Sequence, residues 1–106
     1  MDKTYAIRYT PLAREDLLDV LRYISEESDA PTSARRILDK IESDIALLRE
    51  NPYIAPLSRD RYLSTQGYRA LVSGKYLVFY KVDDDAATVV VHRVVYGKRN
   101  LSWLGL

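Results

Sequence analysis

The chain has 106 residues, 47% hydrophobic and 29% charged, with no cysteine and a net charge of +1. That length implies one domain spanning 1–106. The missing cysteines exclude a disulfide framework and a thiolate metal site, and no apolar run approaches the ~20 residues that cross a bilayer. Met1-Asp2-Lys3-Thr4 leads straight into a strand-like run with no signal-peptide apolar region, which predicts a cytoplasmic location. Charge is spread unevenly. Residues 1–58 hold 8 Lys/Arg against 11 Asp/Glu, and residues 59–106 hold 8 against 4. The second half is therefore either basic by scatter or a surface that attracts phosphate or an acidic peptide.

Thr4-Tyr5-Ala6-Ile7-Arg8-Tyr9 alternates, with Tyr5, Ile7 and Tyr9 on one face, and reads as a half-buried strand. Thr10-Pro11 predicts a helix start, Thr10 as N-cap and Pro11 at the first helical position, where its missing N–H costs nothing. Glu15 and Asp16 follow near the positive end of that helix, with Arg14 beside them diluting the effect. Ala13, Leu17, Leu21 and Ile24 recur at helical spacing, widened by Val20. The helix should fade by Glu27 to Asp29. Ala30-Pro31-Thr32-Ser33 is a connector and a new start signal. The second helix carries Ala34, Ile37, Leu38, Ile41, Ile45 and Leu48 on one side and ends at Asn51-Pro52. So short a link predicts an antiparallel helix hairpin.

Residues 51–66 read as a loop. Three β signals follow, Gly67 to Val72, Tyr76 to Val82 and Ala87 to Tyr96. The last two are joined by Asp83-Asp84-Asp85, a hairpin tip, and their apolar residues on both faces suit central positions. The predicted class is α+β, β-α-α-β-β-β, a mostly antiparallel sheet with the helix hairpin packed on one face. Leu101 to Leu106 is apolar and contains Trp103. It either docks back on the domain or completes a site with a partner.

Three consecutive aspartates at a hairpin tip read as a solvated turn rather than a cation site, because no distant ligand cluster joins them. His92 is the one histidine. In simple alternation it shares a face with Val90, Val94 and Tyr96, and Arg93 shares the other with Val89, Val91 and Val95. It is either structural or a general base with a pKa near neutrality. No motif marks a Ser or Cys nucleophile. The stronger candidates are cations at or near the strands, Arg69, Lys75, Arg93, Lys98 and Arg99, interleaved with Tyr68, Tyr76, Tyr80 and Tyr96. Guanidinium groups bind phosphate in bidentate fashion and aromatic faces stack on unpaired bases. The alternative is that the tyrosines are core or rim aromatics and the cations keep a sheet edge soluble.

Ala13-x-x-Asp16-Leu17, Asn51-Pro52, Gly67-Tyr68-Arg69, Tyr76-Leu77-Val78-Phe79-Tyr80 and Arg93-Val94-Val95-Tyr96-Gly97-Lys98-Arg99, taken in order, resemble the RelE/ParE superfamily of toxins from type II toxin–antitoxin modules. The resemblance covers nearly the whole chain. It implies one of two activities. RelE-like members are ribosome-dependent mRNA endoribonucleases that use basic and aromatic side chains and no metal. ParE-like members bind and poison DNA gyrase. A third possibility is a degenerate, non-toxic member. Arg69 and Arg99 match basic positions of the nuclease site. Leu77 and Leu71 stand where RelE-like nucleases carry cations, and Trp103 is the aromatic nearest the late tyrosine. That partial match favours gyrase as the target. The resemblance then implies a target surface of Arg69, Lys75, Arg93, Tyr96, Lys98, Arg99 and Trp103. Arg69 and Arg99 would be catalytic in the nuclease case, with His92 a lesser candidate. It implies no cofactor or metal. The partners are a cognate antitoxin, acidic where it meets the basic sheet half, and gyrase or the ribosome with mRNA as target.

Overall fold

The computed structural model describes residues 3–28, 31–97 and 104–106. The chain forms β1 (Ala6–Tyr9), α1 (Pro11–Ser28), α2 (Pro31–Ala46) with a 3-10 turn at Leu47–Arg49, α3 (Arg61–Thr65), β2 (Arg69–Ser73), β3 (Tyr76–Asp83) and β4 (Thr88–Tyr96). The strands make one open sheet in the order β1-β4-β3-β2. Its β2–β3 and β3–β4 pairs are antiparallel, and β1 runs parallel to β4. β3 and β4 are central, as their two-sided apolar character predicts. The expected α+β order holds.

The first helix starts where expected. Thr10 Oγ1 accepts a hydrogen bond from Ala13 N at 3.1 Å, the N-cap geometry. Pro31 opens α2. The connector residues Asp29 and Ala30 and the side chain of Ile24 lie outside the described residues. One cluster joins the helix hairpin to the sheet. It brings Ala13, Val20, Ile41, Ile45 and Leu48 against Val78, Tyr80, Val89, Val91 and Val94. Fully burying a side chain such as Ile41 or Leu48 contributes about 1.5–3 kcal/mol.

The stretch read as a loop over 51–66 contains α3. Asp60 caps it, its carboxylate accepting from Leu63 N at 2.9 Å. A helix of one turn has too few residues to show a periodicity, so composition hid it. Its one buried residue, Leu63, packs with Tyr68, Phe79, Val95 and Leu104 on the sheet face opposite the hairpin. That face is therefore partly covered as well. Of the C-terminal segment, residues 104–106 are described, and Leu104 is 3% exposed against this cluster.

Simple alternation along β4 fails at His92. Phe79 pairs with Arg93 and Tyr80 with Val91, so His92 is an extra residue in β4. This β-bulge reverses the faces beyond it. Val94 joins Val89 and Val91 under the helices, and Val95 turns to the opposite face with Phe79. At the other end of the hairpin, Ala87 takes φ 48°, so β4 begins at Thr88, one residue later than expected.

Candidate functional site

Asp16 was expected to lie near the positive end of the α1 dipole, and the structure gives it a further role. It is 8% exposed, and Arg93 is 7% exposed. Arg93 Nε and Nη2 both donate to the Asp16 carboxylate at 2.8 Å, and Arg93 Nη1 donates to Leu104 O at 2.7 Å. Asp16 Oδ2 also accepts from Val94 N at 2.9 Å. The topology explains this. β1 stops at Tyr9, so β4 beyond Val91 has no strand on that side, and its polar groups need other partners. Thr10 N donates to Val91 O, Thr10 Oγ1 donates to His92 O, and Asp16 takes Val94 N. The hydrogen bonds to Asp16 raise the already high pKa of Arg93, so the guanidinium keeps its charge. Arg93 was expected on a target surface. That is corrected here: its guanidinium is consumed inside the protein, fastening α1, β4 and the C-terminal residues together.

Arg69 lies on β2 opposite Tyr80, on the helix side of the sheet. Its Nη1 donates to Ala55 O at 2.7 Å and its guanidinium stands 4.8 Å from the Tyr53 ring centre. Tyr80 OH, wholly buried, donates to Pro52 O at 2.7 Å. Arg69 and Tyr80 thus hold the loop that follows the Asn51-Pro52 break.

Lys75 and Tyr96 do come together. Gly97 N donates to Lys75 O at 2.9 Å, closing the sheet at the turn between β2 and β3. A Cβ at Gly97 would meet Leu77 Cγ at 3.2 Å and Lys75 O at 3.3 Å, so glycine permits this approach. Lys75 is exposed, and Tyr96 packs edge-on against Tyr76 at 5.8 Å. Lys98, Arg99 and Trp103, the rest of the expected surface, lie outside the described residues. Arg69 is four residues along β2 from this end, about 13 Å away at the rise of a strand.

His92 faces away from the helices, its ring edge-on to Tyr68 at 5.0 Å. Burial and Lys81 push its pKa down, so it is neutral at pH 7. The tip aspartates are exposed, as a solvated turn requires, and Asp84 has partners besides water. Asp84 accepts a hydrogen bond from the Tyr5 hydroxyl and lies 3.9 Å from Lys3 Nζ, and its pKa is lowered by Tyr5 first, with Tyr53 and Lys3 adding to the fall against desolvation. The hydrogen bond to Asp84, aided by burial, pushes Tyr5 up to about 12. Among the described residues, no group of three His, Asp or Glu side chains could hold a metal ion. Nor, among them, is any helix long and apolar enough to cross a membrane.

One feature escaped the sequence reading. A groove of about 490 Å³ runs between β1, α1 and the end of α2, lined by Ile7, Tyr9, Arg14, Leu17, Glu42, Ile45, Ala46 and Arg49. Its floor is aliphatic and its walls carry two arginines and one glutamate. Burial raises the Tyr9 pKa, with Glu42 adding to the rise and Arg49 opposing it. Its lining residues lie on β1, α1 and the end of α2, too far apart in sequence for a local pattern to show them together.

A two-helix hairpin lies on one face of a four-stranded sheet whose first strand is parallel to the last, which places the chain in a class of small α+β domains. The model of the family described as "ParE toxin of type II toxin-antitoxin system, parDE" matches residues 7–101, and the chain belongs to that family. Among solved structures, it is similar to a chain of the toxin–antitoxin complex RelBE2 from Mycobacterium tuberculosis. The identity is 25% and the TM-score 0.66, over 91% of this chain and 97% of that one. It shares its fold with a chain of the chromosomal ParDE toxin–antitoxin system from P. aeruginosa. There the identity is 15% and the TM-score 0.72, over 88% and 96%. No curated protein matches the chain significantly.

Proposed function

We propose that this toxin arrests growth by binding and poisoning DNA gyrase, and that a cognate antitoxin neutralises it. The observation that carries the reading is the state of the cations. A nuclease without a metal needs several free cations converging on one phosphate. Arg93 is tied to Asp16 and Leu104, Arg69 to Ala55 and Tyr53, and Leu77 stands where the nuclease pattern has a cation. The match to the ParE family model supports the same branch. In this reading the whole chain, 1–106, is one toxin domain. Lys75 and Tyr96 form the target surface at the Gly97 end of the sheet; Lys98, Arg99 and Trp103, expected to belong to it, lie outside the described residues. Arg69 supports the neighbouring loop.

The groove lined by Tyr9, Arg14, Glu42 and Arg49 suits a segment of the antitoxin that carries an aliphatic anchor and a carboxylate. Both similar structures belong to toxin–antitoxin assemblies, which supports such a partner. The ribosome-dependent nuclease remains the second reading, favoured by the similarity to the RelBE2 chain.

The test is to induce the chain without antitoxin while mapping new mRNA 5′ ends, and to assay purified toxin on gyrase supercoiling. Growth arrest with intact mRNA and lost supercoiling is expected, and Arg99→Ala should abolish both the arrest and the gyrase effect. Translation-dependent cuts within coding regions, with gyrase unaffected, would replace this reading with the nuclease.

A further inference from the structure

β2 is an outer strand of the sheet, and only its first half is covered. Leu57 pairs antiparallel with Arg69, Ser58 N donates to Tyr68 O at 2.9 Å, and Ala70 N donates to Pro56 O at 3.2 Å. Residues 68 and 70 therefore turn main-chain polar groups outward, and by alternation so does Val72. Leu71 and Ser73 turn theirs inward, to Val78 and Tyr76. Continued in register, the loop would set Ile54 opposite Val72. It turns away first, with Ile54 N donating to Asn51 O at 3.2 Å. The N–H and C=O of Val72 thus point outward with no main-chain partner among the described residues.

The Val72 side chain shares a face with Ala70 and Leu77 and is 67% exposed, the most of any large apolar side chain among the described residues. Ala70-Leu71-Val72-Ser73 has none of the devices that blunt a free edge, neither charge, proline nor bulge. The other edges are protected. β1 is four residues long and exposes Arg8, and Asp16 covers Val94 N on β4. The bare stretch of β2 runs directly into the Gly74-Lys75 turn, where Lys75 O accepts from Gly97 N.

We infer that the open half of β2 is a docking edge, on which an extended, uncharged segment of the target protein adds as a further strand beside Val72. An outward N–H and C=O on one residue are matched by an extended backbone, which offers the complementary pair. A helix cannot match them, because its own groups are bonded within it. An apolar residue opposite Val72 would cover its exposed methyls. A second copy of the chain does not fit. Pairing two β2 strands about Val72 would set Gly74 of one opposite Ala70 of the other, the place that Pro56 already holds. The groove at Tyr9 and Arg14 borders β1, the far edge of the sheet, and residues 70–73 carry no cation to hold an acidic segment. The docking edge is instead continuous with Lys75 and Tyr96, the surface assigned to gyrase, and the identity of the partner rests on that assignment.

The experiment mixes the full chain with purified gyrase and follows hydrogen exchange by mass spectrometry. Exchange in residues 70–75 should slow when gyrase is added, and exchange in residues 35–40 of α2 should not change. Val72→Pro removes the outward N–H and leaves the β2–β3 ladder, which uses Leu71 and Ser73, in place. It should weaken gyrase binding roughly tenfold. Val72→Thr keeps the N–H and the shape and should bind nearly as well as the original. A thermal melt shows that each variant folds; where Val72→Pro does not, Val72→Lys takes its place and sets a charge against the incoming strand. If gyrase binds and loses supercoiling while residues 70–75 exchange as before, or if the folded variant binds as well as the original, gyrase uses another surface and β2 is not the docking edge. If gyrase does not bind the chain at all, the gyrase reading fails and the docking edge with it. If residues 70–75 are protected in the chain alone, increasingly with concentration, a second copy holds the edge and the assignment to the target is wrong.

Discussion

Asp16→Ala isolates the buried fork at the centre of the molecule. The substitution removes two hydrogen bonds to Arg93 and one to Val94 N. It leaves a guanidinium that is 8% exposed and still donates to Leu104 O. Breaking one side of a buried, hydrogen-bonded ion pair costs about 3–5 kcal/mol, because the other charge stays desolvated. Small domains have only about 5–15 kcal/mol in total. At about 4–8 °C per kcal/mol for a chain of this size, the melting temperature should fall by at least about 12 °C. The assay is thermal and urea unfolding followed by circular dichroism. Asp16→Leu combined with Arg93→Met removes the stranded charge and should recover at least about 1 kcal/mol over Asp16→Ala. The recovery is incomplete because Val94 N and Leu104 O still lose their partners. A cost below about 1 kcal/mol for Asp16→Ala, or no recovery in the pair, would falsify the view that this fork locks α1 to β4.

Three further outcomes are expected. Tyr80→Phe should cost about 0.5–1.5 kcal/mol in urea unfolding, since Pro52 O loses its buried donor; hydrogen exchange should rise in residues 52–57. Ser73 Oγ is buried with no hydrogen-bond partner among the described residues, so Ser73→Ala should stabilise the protein by about 1 kcal/mol, and a loss of stability would reveal an unseen acceptor. Tyr5 and Asp84 should give stability a signature at both pH extremes. Tyr5 is raised, so its contribution is complete below 10 and is lost as pH climbs through about 12. Asp84 is lowered from 3.8, so its contribution is present above that value and is lost as pH falls below it. Asp84→Asn should remove the acid-side loss and bring Tyr5 back toward 10 in a spectroscopic titration at alkaline pH.

Much of the fold was legible because periodicity reports burial directly. Thr10-Pro11, the α2 stripe from Ala34 to Leu48 and the two-sided apolar strands each needed only local chemistry. The family followed from the same motifs in order. The uses of individual polar residues were not legible. Arg69, Arg93 and Asp16 look alike as charged residues on amphipathic elements, and only the assembled molecule distinguishes a surface cation from one consumed by a carbonyl or a carboxylate. Asp84 looked like a solvated tip because its partners, Lys3, Tyr5 and Tyr53, are distant in sequence. The groove escaped for the same reason, as its walls come from β1, α1 and α2.

The sequence by itself determined where helices and strands form and which side of each is apolar, because those are set by spacing within a few residues. Tertiary structure alone decided three things. It put β1 beside β4 in parallel, ending it at Tyr9 so that Asp16 must finish the edge of β4. It inserted His92 as a bulge that turns Val94 and Val95 to opposite faces. It lined up Arg8 and Lys81 across Val90. Each depends on strand register, set between β1 and β4 by residues some 80 positions apart and at the bulge by β3–β4 pairs such as Phe79 with Arg93 and Tyr80 with Val91, and no alternation within one strand encodes it.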